Sequence, residues 1–206
     1  TIGYRINGKT TYALEGSIFV AGAGVQWLRD KIKFIKKASD TEKIAQSLKS
    51  NNGIYLVPAF TGLGAPYWDA NARGILSGLT RNTGPKEIIR ATIESVAYQT
   101  YDLFEAMKND GLKPNLIKVD GGMVQNNWFS QFLADTINTK VLRPKVNETT
   151  ALGAAFMAGL QIGVYKSLKD ISKNWQADKS FKPRIKNSER KILIDGWRKA
   201  IKKTLS

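Results

Sequence analysis

The chain has 206 residues, 42% of them apolar and 10% aromatic, enough for one globular unit that buries about 70% of the surface its unfolded form would expose. It contains neither Cys nor His, which excludes disulfides, thiol nucleophiles, zinc sites built on these residues and imidazole acid-base work, and leaves carboxylates, Lys, Tyr and hydroxyls for chemistry. The net charge is +15, but residues 163–206 alone hold 13 Lys and Arg against 4 Asp and Glu, with no arginine-rich run or aromatic RNA-binding motif, so a solvated basic face is expected and a nucleic-acid surface is not.

The first stretch, GYRINGKT at residues 3–10, satisfies the phosphate-loop pattern G-x-x-x-x-G-K-[ST]. That loop works only between a buried strand and a helix, whose N-terminus adds its partial positive charge to the anion site. Only Thr1 and Ile2 precede Gly3, and Thr10-Thr11-Tyr12 has strand-forming rather than helical character. Asn7-Gly8 is instead a strong hairpin signal, because a type I′ turn needs positive φ at both central residues. A β-hairpin over residues 3–14, with Lys9 facing solvent, is therefore expected.

Residues 17–34 carry apolar side chains at near-helical spacing, and residues 41–48 suggest a short helix. A buried strand over residues 54–60, the glycine-rich stretch TGLGAPYWDANARG and a second strand over residues 74–79 follow. Pro85 then opens the clearest helix, whose apolar positions run from Ile88 to Met107 on one face and whose stop is Gly111. A strand over 116–119, a helix from about Asn126, a strand over 140–143, a small-residue helix capped by Thr149 and a basic helix over 189–205 complete the order. Strand and helix alternating over residues 85–163 argue for an α/β fold, a sheet covered by helices.

Two glycine clusters invite a ligand. In VDGGMVQNN a strand ends in Gly121-Gly122 before a helix, where a flat ring can approach backbone that carries no Cβ. Asn126 there either meets a ligand edge or caps the helix. In VAGAGVQWLRD, Gly22 and Gly24 precede Gln26 on one helix, and glycine costs a helix interior about 1 kcal/mol relative to alanine, so both imply close approach by another helix or by a ligand.

Residues 74–94 read Gly74-x-Leu76-x-Gly78-Leu79, seven residues, then Glu87-Ile88-x-x-Ala91-Thr92-Ile93-Glu94. This resembles, position by position, the second signature of the FGGY carbohydrate kinases, and the resemblance runs from about Tyr12 to Trp197. Thr61-Gly62-Leu63-Gly64-Ala65-Pro66 resembles the glycerol-phosphorylating members, whereas pentulose-using members carry a Gly-Glu-Arg-Thr-Pro run there. The resemblance implies an actin-like ATPase (ribonuclease H-like) fold and a single domain, residues 1–206, corresponding to most of the C-terminal, nucleotide-side domain of a two-domain kinase. It further implies ATP or ADP and Mg²⁺ as cofactors, Gly22, Gln26, Gly122 and Asn126 at the nucleotide site, and glycerol bound through an N-terminal domain outside this chain. The general-base Asp and the glycerol-contacting residues would also lie outside, so the chain alone is expected to be inactive. A cytoplasmic homo-oligomer without membrane attachment is expected, and Thr1 in place of an initiator Met suggests a fragment. The alternatives are another FGGY sugar kinase or a non-catalytic basic binding module.

Overall fold

Asn7 and Gly8 both take positive φ, 49° and 77°, the turn geometry whose twist matches that of paired strands. The expected hairpin forms: β1 (Ile2–Ile6) pairs antiparallel with β2 (Lys9–Tyr12). Lys9 is exposed on it, and the next helix begins only at Gly22, so the phosphate-loop pattern has no structural basis. The computed structural model describes residues 1–146 and 148–205.

Two short helices follow, α1 (Gly22–Asp30) and α2 (Asp40–Ser47). The apolar spacing over residues 17–34 thus yields a shorter helix than its pattern suggests. Lys33 adopts φ 59° just beyond it, a left-handed geometry that a helix cannot continue through, and Phe19 and Phe34 remain largely exposed outside it. Strand β3 (Tyr55–Val57) is fully buried and pairs antiparallel with β4 (Ile75–Ser77). Between them, Leu63 and Asp69 exchange backbone hydrogen bonds of 2.7 and 3.0 Å that close the glycine-rich loop on itself.

The central element is α3 (Pro85–Asn109), which packs against α1, α2, β3 and the later α4. Every residue from Ile89 to Gln99 is buried, so this helix has no solvent face along three turns, although its sequence spells an apolar stripe with polar residues between. The polar residues inside are therefore paired. Arg90 Nε donates to Glu94 Oε1 at 2.6 Å, Arg90 Nη1 donates to the Leu48 carbonyl at 2.5 Å at the end of α2, and the guanidinium lies 4.9 Å from the Trp128 ring centre. Tyr98 donates to the other Glu94 oxygen at 3.2 Å. Burial raises the Glu94 carboxyl above its ordinary pKa, and the Arg90 charge and hydrogen bond oppose that rise.

Further along α3, Asp102 accepts from Tyr67 Oη at 2.8 Å and from Trp197 Nε1 at 2.6 Å, both on one oxygen. It thereby ties the glycine-rich loop and the last helix, α7 (Asn187–Thr204), to α3. Burial raises the pKa of this carboxyl as well, against the two hydrogen bonds. Trp197 has no exposed surface and stacks on Tyr98 at 5.3 Å, which accounts for the buried face expected of the basic helix.

The remaining strands form one mixed sheet of order β5-β6-β7. Strands β5 (Leu116–Lys118) and β6 (Lys140–Pro144) are parallel and are joined by α4 (Asn127–Ile137), the crossover that parallel pairing requires. Strand β7 (Ala177–Phe181) adds antiparallel to β6. Before it come α5 (Thr149–Gln161) and α6 (Leu168–Lys173). Thr149 is the first residue of α5 and Glu148 its cap position, so the expected Thr149 cap is displaced by one residue. Only Gly159 of α5 is buried, although the helix is almost wholly apolar. Among the described residues no helix is long and apolar enough to cross a membrane.

Replacing Glu94 by Gln leaves the buried Arg90 without its counter-charge, and such a loss costs about 3–5 kcal/mol. Urea unfolding of the E94Q chain should show a drop of that order in stability. A loss below about 1 kcal/mol would mean that the Arg90 contacts to α2 and Trp128 suffice without the carboxylate.

Candidate nucleotide site

A cavity of about 460 Å³ opens where α1, the residues leading into α2, and the one-turn 3-10 helix Gly122–Gln125 converge over α3. Its floor is apolar, made by Val25, Ile93 and Met123, and its rim is polar, with Gln26, Ser39, Thr41, Glu42 and Asn126. Such a combination, an apolar bed with a few converging polar groups and a volume of several hundred Å³, suits a drug-sized ligand. Gly22, Gln26, Gly122 and Asn126 all line this one cavity. The sequence placed them on two stretches about a hundred residues apart, and α3 brings the two together.

The glycines there have different uses. A Cβ at Gly24 would come within 3.1 Å of Thr92 Cγ2 on α3, so this glycine serves helix packing. A Cβ at Gly22 or at Gly122 would meet no atom within 4 Å. These two positions are open toward the cavity, and their lack of a side chain keeps backbone accessible to whatever enters it. No side chain caps α1, whose N-cap residue is Ala21, so its first backbone N–H groups are placed to meet an acceptor.

Asn126 is both a cap and a cavity residue. Its Oδ1 accepts from the Phe129 N–H at 2.8 Å at the start of α4, and its Nδ2 donates to Thr41 Oγ1 at 3.2 Å. One oxygen lone pair and one N–H of the amide remain after these two bonds, so the two readings left open by the sequence are compatible. Gln26 lies exposed on the rim, a turn beyond Gly22.

The turn that carries Gly122 and Asn126 is held from beneath by residues the sequence did not single out. Arg143 on β6 is buried and donates through Nη1 to the carbonyls of Val124 at 3.0 Å and Gln125 at 3.2 Å, while its Nε and Nη2 donate to Asp178 on β7 at 2.9 and 2.6 Å. Asn127 is gripped by Glu42 Oε1, which accepts from its N–H at 3.1 Å and from its Nδ2 at 3.0 Å. An Arg in an expected strand, just before Pro144, is the available signal for Arg143; nothing local marks Asp178, because β7 is polar along most of its length. Among the described residues no three Asp, Glu, His or Cys side chains gather to hold a metal ion. Two other hollows, of about 450 and 1110 Å³, flank α5 and contain none of the four predicted residues.

The different roles of the two α1 glycines can be separated by stability. Gly22→Ala should change thermal unfolding by less than about 0.5 kcal/mol, as expected of a substitution that touches nothing, whereas Gly24→Ala, pressed against Thr92, should cost about 1–3 kcal/mol. Equal effects at both positions would contradict the assignment of open and packed faces.

The family model of FGGY carbohydrate kinases, C-terminal domain, matches residues 3–162. Glycerol kinase of Alteromonas mediterranea is 57% identical over 98% of this chain and 41% of its own length, and glycerol kinase 1 of Pseudomonas aeruginosa is 55% identical over the whole chain and 42% of its own length. The chain thus spans about two fifths of these relatives. A crystal structure of Plasmodium falciparum glycerol kinase with ADP superimposes with a TM-score of 0.91 at 39% identity, covering all of this chain and 42% of that one. A ligand-bound xylulose kinase from Lactobacillus acidophilus reaches 0.77 at 27% identity over 91% of this chain and 38% of that one. With the signature at residues 74–94, a family match over most of its length and neighbours that share the actin-like ATPase fold, this chain belongs to the FGGY family of carbohydrate kinases.

Proposed function

We propose that the chain is the nucleotide-holding domain, residues 1–206, of an ATP-dependent glycerol kinase. The observation that carries this reading is the convergence of Gly22, Gln26, Gly122 and Asn126 on one cavity with an apolar floor. The 0.91 superposition on a glycerol kinase solved with ADP supports it. In this reading the base of ATP or ADP lies over Val25, Ile93 and Met123. It rests against backbone at Gly22 and Gly122, where no Cβ intervenes, and Gln26 and Asn126 offer hydrogen-bonding groups to its edges.

Phosphoryl transfer further needs an acceptor hydroxyl in line with the γ-phosphate and a base to take its proton. We assign both to a region outside this chain, together with the glycerol site. Mg²⁺ accompanying the nucleotide would draw on phosphate oxygens and on groups of that region. The apolar, scarcely buried α5 supports a region of this kind: a helix with only Gly159 buried is matched to a surface that packs over it. We expect the complete enzyme to be cytoplasmic, where ATP is available, and to associate with copies of itself.

Glycerol is preferred over a pentulose as the acceptor because the relatives at 52–57% identity are glycerol kinases, while the xylulose kinase neighbour shares 27%. Calorimetry with ADP should give binding to the 206-residue chain that weakens on Gln26→Ala, without glycerol-dependent ATP consumption. Fused behind the preceding region of the Alteromonas mediterranea relative, the chain should consume ATP with glycerol far faster than with xylulose. Turnover by the isolated chain would overturn the division of labour, and a pentulose preference in the fusion would overturn the acceptor.

A further inference from the structure

Ser39-Asp40-Thr41-Glu42 opens α2 and spells a capping box, in which Ser would cap the helix and Glu would reach back to the cap residue. The structure does not use it. Ser39 makes no side-chain cap bond, and Glu42 turns away to bind Asn127, 85 residues along the chain. Thr41 turns the same way. Its hydroxyl donates to the Ala38 carbonyl at 2.7 Å and accepts from Asn126 Nδ2 at 3.2 Å, and its surface is 3% exposed.

The hydrogen inventory makes this contact directional. A threonine hydroxyl has a single hydrogen, and that hydrogen is committed to Ala38. Toward Asn126 the oxygen can only accept, so it selects the NH₂ end of the amide and not the carbonyl end. The Phe129 N–H, a donor, selects the carbonyl end. Both ends of the Asn126 amide are therefore specified, and the remaining N–H and lone pair are held in a fixed order.

We infer that Thr41 is a positioning residue for nucleotide binding, holding the Asn126 amide in the one orientation that presents its remaining donor and acceptor to the ligand. This rests on the nucleotide reading of the cavity. Thr41 acts through Asn126, and Glu42 keeps the neighbouring Asn127 in place so that the two stay in register.

The test is a double-mutant cycle on ADP affinity, measured by calorimetry on the 206-residue chain, with thermal unfolding followed in parallel. Thr41→Val exchanges the hydroxyl for a methyl of similar size and should weaken ADP binding by about 3- to 10-fold, the worth of one hydrogen bond. Thr41→Ser, which keeps the hydroxyl, should restore it. In an Asn126→Ala background, Thr41→Val should add less than about a twofold loss, because the group it orients has gone. A general structural effect would lower affinity in both backgrounds alike, and that outcome overturns the inference. So does an unchanged affinity in Thr41→Val when Asn126→Ala binds weakly. If Asn126→Ala binds ADP as the unaltered chain does, or the unaltered chain does not bind it, the nucleotide reading fails and the positioning role fails with it.

Discussion

Arg90 and Glu94 lie one helical turn apart in the middle of α3, with the carboxylate wholly inaccessible and the guanidinium nearly so. Two charges withdrawn from water are costly unless each finds further hydrogen bonds beyond its partner. Glu94 finds one from Tyr98, and Arg90 finds its own in the carbonyl of Leu48 and the face of Trp128. The need to satisfy this arginine draws the end of α2 and the first turn of α4 onto the same side of α3. The candidate cavity occupies that side, so its geometry depends on a pair that does not line it.

The same arrangement recurs at two other points. Arg143, paired with Asp178, supports the turn of residues 122–125 from the β6-β7 sheet, and Asp102 gathers Tyr67 and Trp197 from two distant segments. Arg90, Arg143 and Asp102 each take a hydrogen-bond partner from another element, and such networks specify one arrangement rather than several. The surfaces around α5 are built differently. There apolar side chains such as Met157 are exposed beside small residues, a face suited to cover by another region. In the proposed reading, one face holds the nucleotide and the second is left for the neighbouring region of a cleft enzyme.

Much of this was legible in the sequence where local chemistry and tertiary need agree. Asn-Gly fixes the hairpin because its turn tolerates few other residues, and Pro85 with Gly111 brackets α3 because neither depends on what packs against it. The FGGY signature covers β4 and residues 85–94 of α3, and its Glu94 proves to be the buried centre of the fold. Other features were hidden because the deciding partner is remote. Gly22 and Gly24 look alike in sequence, yet only one faces α3. Ser39 and Glu42 spell a local cap, but Asn127 competes successfully for the glutamate. Strand β7 carries no local sequence signal, because Ala177-Asp178-Lys179-Ser180 is polar and forms a strand only by adding to the edge of β6. The two glycine clusters suggested a ligand; that they meet in one cavity follows from the packing of α1, α2 and α4 around α3.

In the proposed reading, nucleotide is held between residues 22–26 and 122–126 and not by the phosphate-loop pattern near the start of the chain. Amide resonances of the ¹⁵N-labelled chain followed during ADP titration test this most directly. Shifts confined to Gly22–Gln26, the entry to α2 and Gly121–Asn127, with Gly8, Lys9 and Thr10 unmoved, are the predicted result. Shifts centred on the hairpin, or on the hollows beside α5, would contradict it.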